Sequence, residues 1–525
     1  MPIKKKITDR IIGYFSPKTE LRRLQARALI GAYEQSGGYN GASRKRAAIG
    51  SFNPVSGDIS DDSAMDLPML RSRSRDLVRN TPIAGGSLKT MVTYVVGTGL
   101  TMRSKIDGVK LGMIPGTSGA WQDEVNSRFS IWAESTDCDI ARGMNFYGIQ
   151  ALALKSMLES GDVGILLTQN QKGKLAIQLI EADRICNKDD TRDTATLIAG
   201  VEIDSNGAPL NYHICNQHPT AWKPGLKRTW TIVPAFGQQT GRPNFILMFE
   251  RLRPGQVRGI PVLAPVIELI KQLGRFTDAE LQAAVLNGSF AVFLKMDPTA
   301  FGDLFDDAGK NTYMEQASKW NGSYPDATLG GPGKVVNLLP GEEVIESNPG
   351  RPNSEFDPFV NAILTQIGME LGLPVEVMLK KFTSSYSAAR ASMLDAWRLF
   401  KVRREFLCSY FCNPVYSDWL AREIAAGKIE AKGFFEDDLL RAYWENADWI
   451  GDSQGAIDPM KEVAAAQQRV DMGISTIENE SIAFDGGEFW SKHKQRTNEH
   501  KLRLQSDLEP ANTIKAQQSV VNVGQ

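Results

Sequence analysis

The chain has 525 residues, of which 42% are hydrophobic and 23% are charged, as in an ordinary globular protein of roughly two to four domains. Its 60 basic and 61 acidic residues give a formal net charge of -1, which argues against a protein that coats nucleic acid with its whole surface. A local basic surface is compatible with this balance, because only residues that face phosphate groups need a positive charge.

The five cysteines show no pattern of paired spacings, so the sequence predicts free thiols and a reducing cytoplasm as the place of synthesis. No apolar run reaches the roughly 20 residues that span a bilayer. No apolar segment follows the basic N-terminus, as one would in a signal peptide. We therefore expect no membrane partner.

Residues 1–64 are predicted to form a flexible basic arm followed by a linker. The first 46 residues contain eleven lysines and arginines against three acidic residues, and a stretch rich in Gly, Ser, Asn and Asp follows. Two interpretations of the arm stay open: a solvated tail, or a tail that contacts nucleic acid or a protein partner.

Residues 65–253 are predicted to form a mixed α+β domain. A helical pattern runs over 67–96 and is interrupted at Pro82, which lacks the amide hydrogen that a helix interior needs. Two more helices are predicted over 120–134 and 146–160. From residue 161 onward, short apolar runs alternate with turn residues, as in short strands, and Asn206-Gly207 favours a hairpin turn.

A long amphipathic helix is predicted within residues 254–289. At 1.5 Å per residue, about 25 residues give a helix about 37 Å long, which suits packing against parallel copies of itself. A proline at Ile270 would cost about 3 kcal/mol and is expected to abolish a stable assembly. Apolar side chains recur every three or four positions, and four of them define the expected packing face: Val266, Ile270, Leu273 and Leu281.

An insertion over 290–353 is predicted to contain strands, from apolar runs at 290–294 and 335–339, and a helix near 311–320. A second long helix is expected within 354–379, from Phe356 to about Leu371, with a breaker at Gly372-Leu373-Pro374. The segments 386–450 and 451–505 are predicted to be mostly helical, and 506–525 to be a disordered tail.

The loop 380–385 and the helix after it form the clearest candidate binding surface. Cations greatly outnumber acids over 380–404, as expected where a protein meets phosphate groups. A solvated face over an apolar stripe would have the same composition. Ser384 or Ser385 can cap the following helix by accepting hydrogen bonds from its free amides. The candidate contact residues are Lys380, Lys381, Thr383, Ser384, Ser385 and Arg390.

No catalytic motif has all the residues that it needs. The segment 330–334 resembles a phosphate-binding loop, but Val335 stands where a Mg²⁺-binding hydroxyl is required. The acidic pair Glu181/Asp183 lacks further ligands nearby in sequence, and residues 181–184 are predicted to be a strand-end turn with a local ion pair. The sequence thus predicts no catalytic residue, no metal and no cofactor.

A series of short motifs resembles the lambda-type phage portal proteins. The resemblance covers roughly residues 65 to 500, and the order and spacing of the motifs are more specific than any single one. Asp162 stands where the family usually has Glu, and Ala388 where it usually has Ser. The motifs are Arg73-Ser74-Arg75-Asp76-Leu77-Val78-Arg79-Asn80-Thr81-Pro82, Val95-Val96-Gly97-Thr98-Gly99, Ser160-Gly161-Asp162, Ile180-Glu181-Ala182-Asp183-Arg184-Ile185, Arg253-Pro254-Gly255-Gln256-Val257-Arg258-Gly259-Ile260-Pro261, Gly341-Glu342-Glu343, Gly372-Leu373-Pro374, Tyr386-Ser387-Ala388-Ala389-Arg390 and Asp458-Pro459.

This resemblance implies an α+β portal fold that assembles as a closed ring of about twelve copies around a channel for double-stranded DNA. The implied partners are the large terminase subunit (the packaging ATPase), the major capsid protein and scaffold, and head-tail connector proteins. The implied location is the portal vertex of the virion, after assembly in the host cytoplasm. The implied parts are a wing (65–253), a first stem helix (254–289), a clip (290–353), a second stem helix (354–379), a channel loop (380–385), further wing helices (386–450) and a crown (451–505).

The main alternative is another ring-forming virion connector or baseplate protein without catalytic activity. Two long stem helices with an insertion between them favour a portal. An enzyme that acts on DNA would need a metal or nucleotide site, and a simple nucleic-acid-binding protein should be basic overall.

Overall fold

A computed structural model gives the structure of the chain and describes residues 16–19, 25–26, 51–54, 56–221, 225–288, 292–296, 342–346, 355–382, 385–455, 458–487 and 489–506. The chain divides into two compact units, Met1–Asp58 and Ile59–Gln525. Within the first unit, the hydroxyl groups of Ser16 and Thr19 lie 2.8 Å apart. Several predictions lie outside the described residues: most of the basic arm, the helix near 311–320, the runs at 330–334 and 335–339, and the tail from 507.

The second unit opens with helices that follow the predicted pattern. Pro82 begins a helix, because its missing amide hydrogen costs nothing in a first helical turn. The Asn145 side chain caps another by accepting a hydrogen bond from the Gly148 amide at 2.9 Å. The helices are α1 (Ile59–Ala64), α2 (Leu67–Asn80), α3 (Pro82–Val95), α4 (Thr117–Glu134) and α5 (Phe146–Ser160).

Short strands follow, which confirms the mixture of helix and sheet. They are β1 (Thr101–Ser104), β2 (Asp162–Gln169), β3 (Leu175–Glu181), β4 (Leu197–Ile198), β5 (Val201–Ile203), β6 (Pro209–Cys215), β7 (Trp230–Pro234) and β8 (Phe245–Phe249). Strands β2 to β8 form two antiparallel sheets, with strand orders β3-β2-β8 and β4-β5-β6-β7. The predicted hairpin turn is present between β5 and β6, where the Asp204 carboxylate accepts hydrogen bonds from the amides of Asn206 and Ala208.

Two long helices flank the insertion. The first, α6 (Ile267–Gly288), follows a 3-10 turn over Ala264–Val266 and so begins later than the predicted stripe. Strand β9 (Val292–Met296) then pairs antiparallel with β10 (Glu342–Glu346). Strand β9 overlaps the predicted run at 290–294, whereas β10 follows the run at 335–339. The second helix, α7 (Phe356–Leu371), has the predicted bounds.

The C-terminal part is mostly helical, as predicted. A π-helical turn at Cys408–Cys412 interrupts one long helical segment. None of the helices in the described ranges is both long enough and apolar enough to cross a bilayer. The helices are α8 (Val375–Leu379), α9 (Tyr386–Leu407), α10 (Asn413–Ala425), α11 (Asp438–Trp444), α12 (Pro459–Asp471), α13 (Ile477–Asp485) and α14 (Phe489–Gln505).

One strand in this part was not predicted. Residues Ala447–Ile450 form β11, which pairs antiparallel with β1, and Thr101 lies opposite Ile450. The expectation of a helical segment is therefore wrong at this point. Four residues are too few to show the alternation of a strand in sequence, and β1 supplies the hydrogen-bond partners that decide the conformation.

The main core joins the first helices to the C-terminal ones. Phe129 of α4 lies near its centre, with its ring centroid between 5.1 and 5.9 Å from those of Phe146, Tyr416, Trp419 and Trp449. Aromatic pairs at these distances add to the free energy of apolar burial. The stretch of chain before α6 and the stretch after α7 therefore share one hydrophobic core.

The helices α12, α13 and α14, which lie in the predicted crown, contain no buried residue. Polar contacts hold them: Arg469 Nε lies 2.9 Å from Glu480 Oε1 and joins α12 to α13. Lys494 Nζ lies 3.2 Å from an Asp123 carboxylate oxygen and ties α14 to α4. Exposed ion pairs contribute little stability, so these three helices are weakly held within one chain.

Candidate functional site

The loop between α8 and α9 exposes two adjacent lysines. Lys380 has a left-handed backbone with a φ of 55°, and the Lys381 amide donates a 3.1 Å hydrogen bond to the Glu376 carbonyl oxygen, which closes the end of α8. Both lysine side chains are exposed, and neither has an ion pair among the described residues. Phe382, 50% exposed, follows them. The loop therefore presents two unneutralised cations and an aromatic ring to the outside of the chain.

The serine cap is confirmed for one of its two candidates. The Ser385 hydroxyl accepts a 3.4 Å hydrogen bond from the Ala388 amide at the start of α9. Thr383 and Ser384 lie outside the described residues.

Arg390 lies beyond the loop, and its predicted contact with DNA stays a prediction. It lies in α9, and its Nη2 atom is 3.7 Å from a carboxylate oxygen of Glu462 in the crown helix α12. Together with Leu394, it lines a cleft against the crown. The structure thus gives Arg390 an acidic partner in its own chain, while the two lysines have none in the described ranges.

The predicted stem face divides into a buried half and an exposed half. Val266, Ile270 and Leu273 are at most 2% exposed and belong to the core of their own chain. Leu281, further along α6, is 64% exposed, and so is Val285. The expectation that the whole face packs against sister copies needs correction for the first three residues, because their own chain already covers them. For Leu281 it stays a prediction.

Several of the sequence motifs converge on one buried carboxylate, that of Asp162 at the start of β2. Its side chain has no exposed surface. The carboxylate accepts hydrogen bonds from Arg258 Nε at 2.7 Å and Nη2 at 2.9 Å, from Arg71 Nη2 at 3.0 Å and from the Gly259 amide at 3.0 Å. Two buried guanidinium groups thus share one carboxylate, a contact that sequence reasoning did not identify.

The two arginines also bind backbone carbonyl groups. Arg258 donates to the oxygens of Ile185 and Ala182, each at 2.7 Å, and to that of Ala199. Arg71 Nε donates to the Ser160 oxygen at 3.0 Å. These bonds give acceptors to guanidinium N–H groups that burial would otherwise leave without a hydrogen bond. The cluster joins α2, the start of β2, the turns after β3 and β4, and the segment that leads to the stem.

The charges of this cluster stabilise each other. Burial alone would raise the pKa of Asp162, but the positive charges of Arg258 and Arg71 hold it below its ordinary value. Burial lowers the pKa of Arg71. It acts on Arg258 in the same direction, but the attraction of Asp162 outweighs it and leaves the pKa of Arg258 raised. All three groups are therefore charged in the folded chain at neutral pH.

Two glycines allow the backbone segments around Asp162 to approach each other. Gly161 has a φ of 92°, and a Cβ atom there would lie 2.5 Å from the Gly259 carbonyl oxygen. A Cβ atom at Gly259 would lie 2.0 Å from the Gly161 carbonyl oxygen. Only glycine fits both positions without movement of the backbone. This contact explains why glycines stand next to Asp162 and Arg258.

An acidic group near this cluster could in principle hold a metal ion. One ligand atom each from Glu181, Asp183 and His218 lie within 4.8 Å of one another. Arg75, however, contacts Asp183 directly and lies 3.4 Å from Glu181. The ion pair expected here is therefore not local, because its cation comes from 108 positions earlier in the chain. One guanidinium group already binds both carboxylates, so the arrangement is that of an ion-pair network.

The profile of the lambda family of phage portal proteins matches residues 45–404. The chain belongs to this family. Portal protein B of Escherichia phage lambda is 27% identical over 494 residues, which cover 91% of this chain and 92% of that protein. The portal protein of Escherichia phage N15 is 27% identical over 513 residues, with 94% and 93% covered. A chain in the solved virion of a native gene transfer agent particle is 14% identical, with a TM-score of 0.40. The match covers 75% of this chain and 96% of that chain.

Membership in the portal family decides between the alternatives that the sequence left open. The chain is a structural component of a phage virion, of the portal class rather than the baseplate class. The motifs that first indicated the family now have a physical reason in the structure. Several of them supply the residues that surround Asp162.

Proposed function

We propose that the chain forms a closed ring of about twelve copies at one capsid vertex, and that viral double-stranded DNA enters and leaves through the central channel. The family match over residues 45–404 carries this proposal. The exposed apolar side chains of Leu281 and Val285 in the stem add support, because a monomer would leave them in water. The crown, which buries no residue of its own, likewise favours neighbours.

Lys380 and Lys381 are proposed to contact the DNA backbone from the channel loop, with Thr383, Ser384 and Ser385 completing the loop surface. Both lysines are exposed and free of ion pairs within the described ranges, so their charge is available to phosphate groups. Each phosphate contact adds a salt-dependent term to the affinity. A small number of contacts per copy would let the duplex slide and still resist its escape.

The proposed partners follow from this role. The large terminase subunit would dock during packaging and supply the energy, so the chain itself needs no catalytic residue. The major capsid protein and scaffold would hold the ring in the shell, and head-tail connector proteins would bind after packaging. Assembly is expected in the host cytoplasm and the final location in the virion.

Electron microscopy of the purified chain tests the proposal. We expect rings with a central opening wide enough for a DNA duplex, and a mass by native mass spectrometry of about twelve copies. ATP hydrolysis by the same sample in the presence of Mg²⁺ is expected to be absent. A compact monomer under conditions that favour assembly, or a ring without such an opening, would overturn the proposal.

A further inference from the structure

A groove at the root of the stem carries cations that the chain does not fully neutralise. The groove lies between α2 and α6 and has a volume of about 680 Å³. Two acidic side chains, Asp76 and Glu268, face four basic ones across it. The basic side chains are Arg73, Arg79, Lys271 and Arg275.

Only one of these cations has an acidic partner in the part of the chain that the structure describes. An Arg79 guanidinium nitrogen lies 3.9 Å from an Asp76 carboxylate oxygen. Glu268 instead accepts a 2.9 Å hydrogen bond from the Gln272 amide group. A concave surface with surplus positive charge favours an anionic occupant. The three cations without an ion pair are Arg73, Lys271 and Arg275.

Helix geometry places Arg275 away from the second stem helix of its own chain. Phe276 marks the side of α6 that packs on α7, with its ring centroid 5.6 Å from that of Phe356 and 4.9 Å from that of Phe359. Successive residues turn by about 100° around an α-helix axis. Arg275 therefore points about 100° away from the α7 side, and Lys271 about 140° away. This orientation explains why α7 does not neutralise them.

Asp357 is the matching group on the other helix. It is exposed and has no ion pair among the described residues. Because it follows Phe356, it lies at the same level of the stem as Phe276 and hence as Arg275. By the same rotation it points about 100° from Phe356, which faces α6. Within the described residues, the stem thus has a cation without an ion pair on one edge and, at the same level, a carboxylate without one on another edge.

We propose that Arg275 of each copy binds Asp357 of the next copy around the ring. The inference rests on the proposed ring and names one contact that closes its stem. In a head-to-tail ring, the surface that a copy offers to one neighbour differs from the surface that it offers to the other, so complementary edges meet. Rotation about the ring axis keeps equal levels together. Lys271 and Arg73 add positive potential around the incoming carboxylate.

A fixed carboxylate suits this groove better than moving DNA does. The groove is recessed between two helices, so a side chain from a stationary neighbour can enter it and stay. A duplex that passes through a channel instead needs contacts that release quickly. Binding of the groove to DNA phosphate would therefore contradict the proposal.

A charge exchange in the full-length chain tests the contact. Arg275→Glu and Asp357→Lys each place like charges across the interface. Each is expected to raise the protein concentration needed for half-maximal ring formation about tenfold or more. The double variant restores opposite charges in exchanged positions and should return to within about threefold of wild type. Native mass spectrometry and size-exclusion chromatography measure the fraction of rings.

Lys89→Glu is the matched control, because it makes the same charge change at an exposed lysine without an ion pair in the described ranges. It should assemble like wild type, and circular dichroism should show all variants folded. Normal assembly of both single variants, or no recovery in the folded double variant, overturns the contact. Normal assembly with weaker DNA retention by Arg275→Glu assigns the groove to DNA and also overturns it. If wild type forms no rings, it is the proposed function that fails.

Discussion

Asp162 and Arg258 are buried and paired with each other, whereas Arg275 in α6 and Lys380 and Lys381 in the loop after α8 are exposed and have no ion pair within the described ranges. Asp162 and Arg258 bind each other with almost no exposed surface. Lys380, Lys381 and Arg275 have no acidic partner in the described chain. Burial of a charge is costly unless a partner compensates it, so wing charges specify the fold. Arg275, Lys380 and Lys381 keep the charge that the proposed contacts with neighbouring copies and DNA require.

Apolar side chains show the same contrast within a single helix. Ile270 is 1% exposed in the core, while Leu281 of the same α6 is 64% exposed. One amphipathic pattern in the sequence therefore serves two purposes: the first half of the helix holds the chain together, and the second half is free to hold copies together.

The largest expected effect is the loss of the buried carboxylate. Asp162→Asn leaves the guanidinium groups of Arg258 and Arg71 without their counter-charge, and should lower the free energy of unfolding by about 3–5 kcal/mol. Urea denaturation of the monomer measures it. Asp448→Asn is the matched control, because its exposed pair with Lys105 contributes at most about 1 kcal/mol. If Asp162→Asn lowers the free energy of unfolding no more than Asp448→Asn does, the contrast between buried and exposed charges is contradicted.

The unfolding free energies of wild type and Asp162→Asn should also respond differently to acid. The folded-state pKa of Asp162 lies below its unfolded value of about 3.9, so its stabilisation is present above that pH and is lost as the pH falls towards the folded pKa. The difference in unfolding free energy between wild type and Asp162→Asn should stay constant from pH 7 to 5. Below about pH 3.9 it should shrink by about 1.4 kcal/mol per pH unit. A difference unchanged down to pH 3 would show that folding does not lower the pKa of Asp162.

Substitution of Gly161, where two backbone segments meet, should destabilise the chain nearly as much as the loss of the Asp162 carboxylate. Gly161→Ala combines a left-handed backbone with a clash against the Gly259 carbonyl, and should cost about 3 kcal/mol or more of unfolding free energy. Gly112→Ala separates the two causes, because Gly112 has a φ of 64° but open space around it. It should cost about 1 kcal/mol. Equal losses in thermal denaturation would show that the close approach contributes nothing.

The two halves of α6 should respond differently to small truncations. Ile270→Val should cost the monomer about 1 kcal/mol, because it removes a buried methyl group. Leu281→Ala should change monomer stability by less than about 0.5 kcal/mol. Ring formation, measured by native mass spectrometry, should instead be weakened by Leu281→Ala. Loss of monomer stability with normal assembly in that variant would assign Leu281 to the fold.

The smallest effect on stability is expected in the channel loop. Replacing Lys380 and Lys381 together with Ala should leave the unfolding free energy within about 0.5 kcal/mol and the rings intact. DNA retention or packaging should be disturbed, and DNA binding by the rings should depend less steeply on salt. Lys89→Ala with Lys155→Ala removes the same charge from exposed positions elsewhere. Normal packaging by the loop variant would remove both lysines from the proposed channel surface.

Elements whose ends depend on local chemistry were predictable from the sequence. Asn145 caps α5 and Gly372 ends α7, and both helices have the predicted bounds. The β1–β11 pair was not predictable, because its two short strands are separated by most of the chain and each depends on the other. Conformation there is decided by tertiary contact rather than by local preference.

The candidate site was only partly predictable, because composition does not tell an exposed cation from a buried one. Of the cations after residue 380, Arg403 is buried, and Arg404 donates to the backbone oxygens of Val95 and Tyr94 at 2.9 and 3.0 Å. The Asp162 cluster did carry a signal. Asp162 stands between Gly161 and an apolar strand, and Arg258 stands between Val257 and Gly259. Both segments are too apolar for an unpaired charge.

The β1–β11 pair has a consequence for the order in which the protein is made. Ribosomes synthesise residues 101–104 well before residues 447–450, so this strand pair cannot form until the residues between them have emerged. During that interval the nascent chain exposes apolar surface that only the late helices cover, a state prone to aggregation. Products of premature termination before residue 447 would lack the strand that pairs with β1.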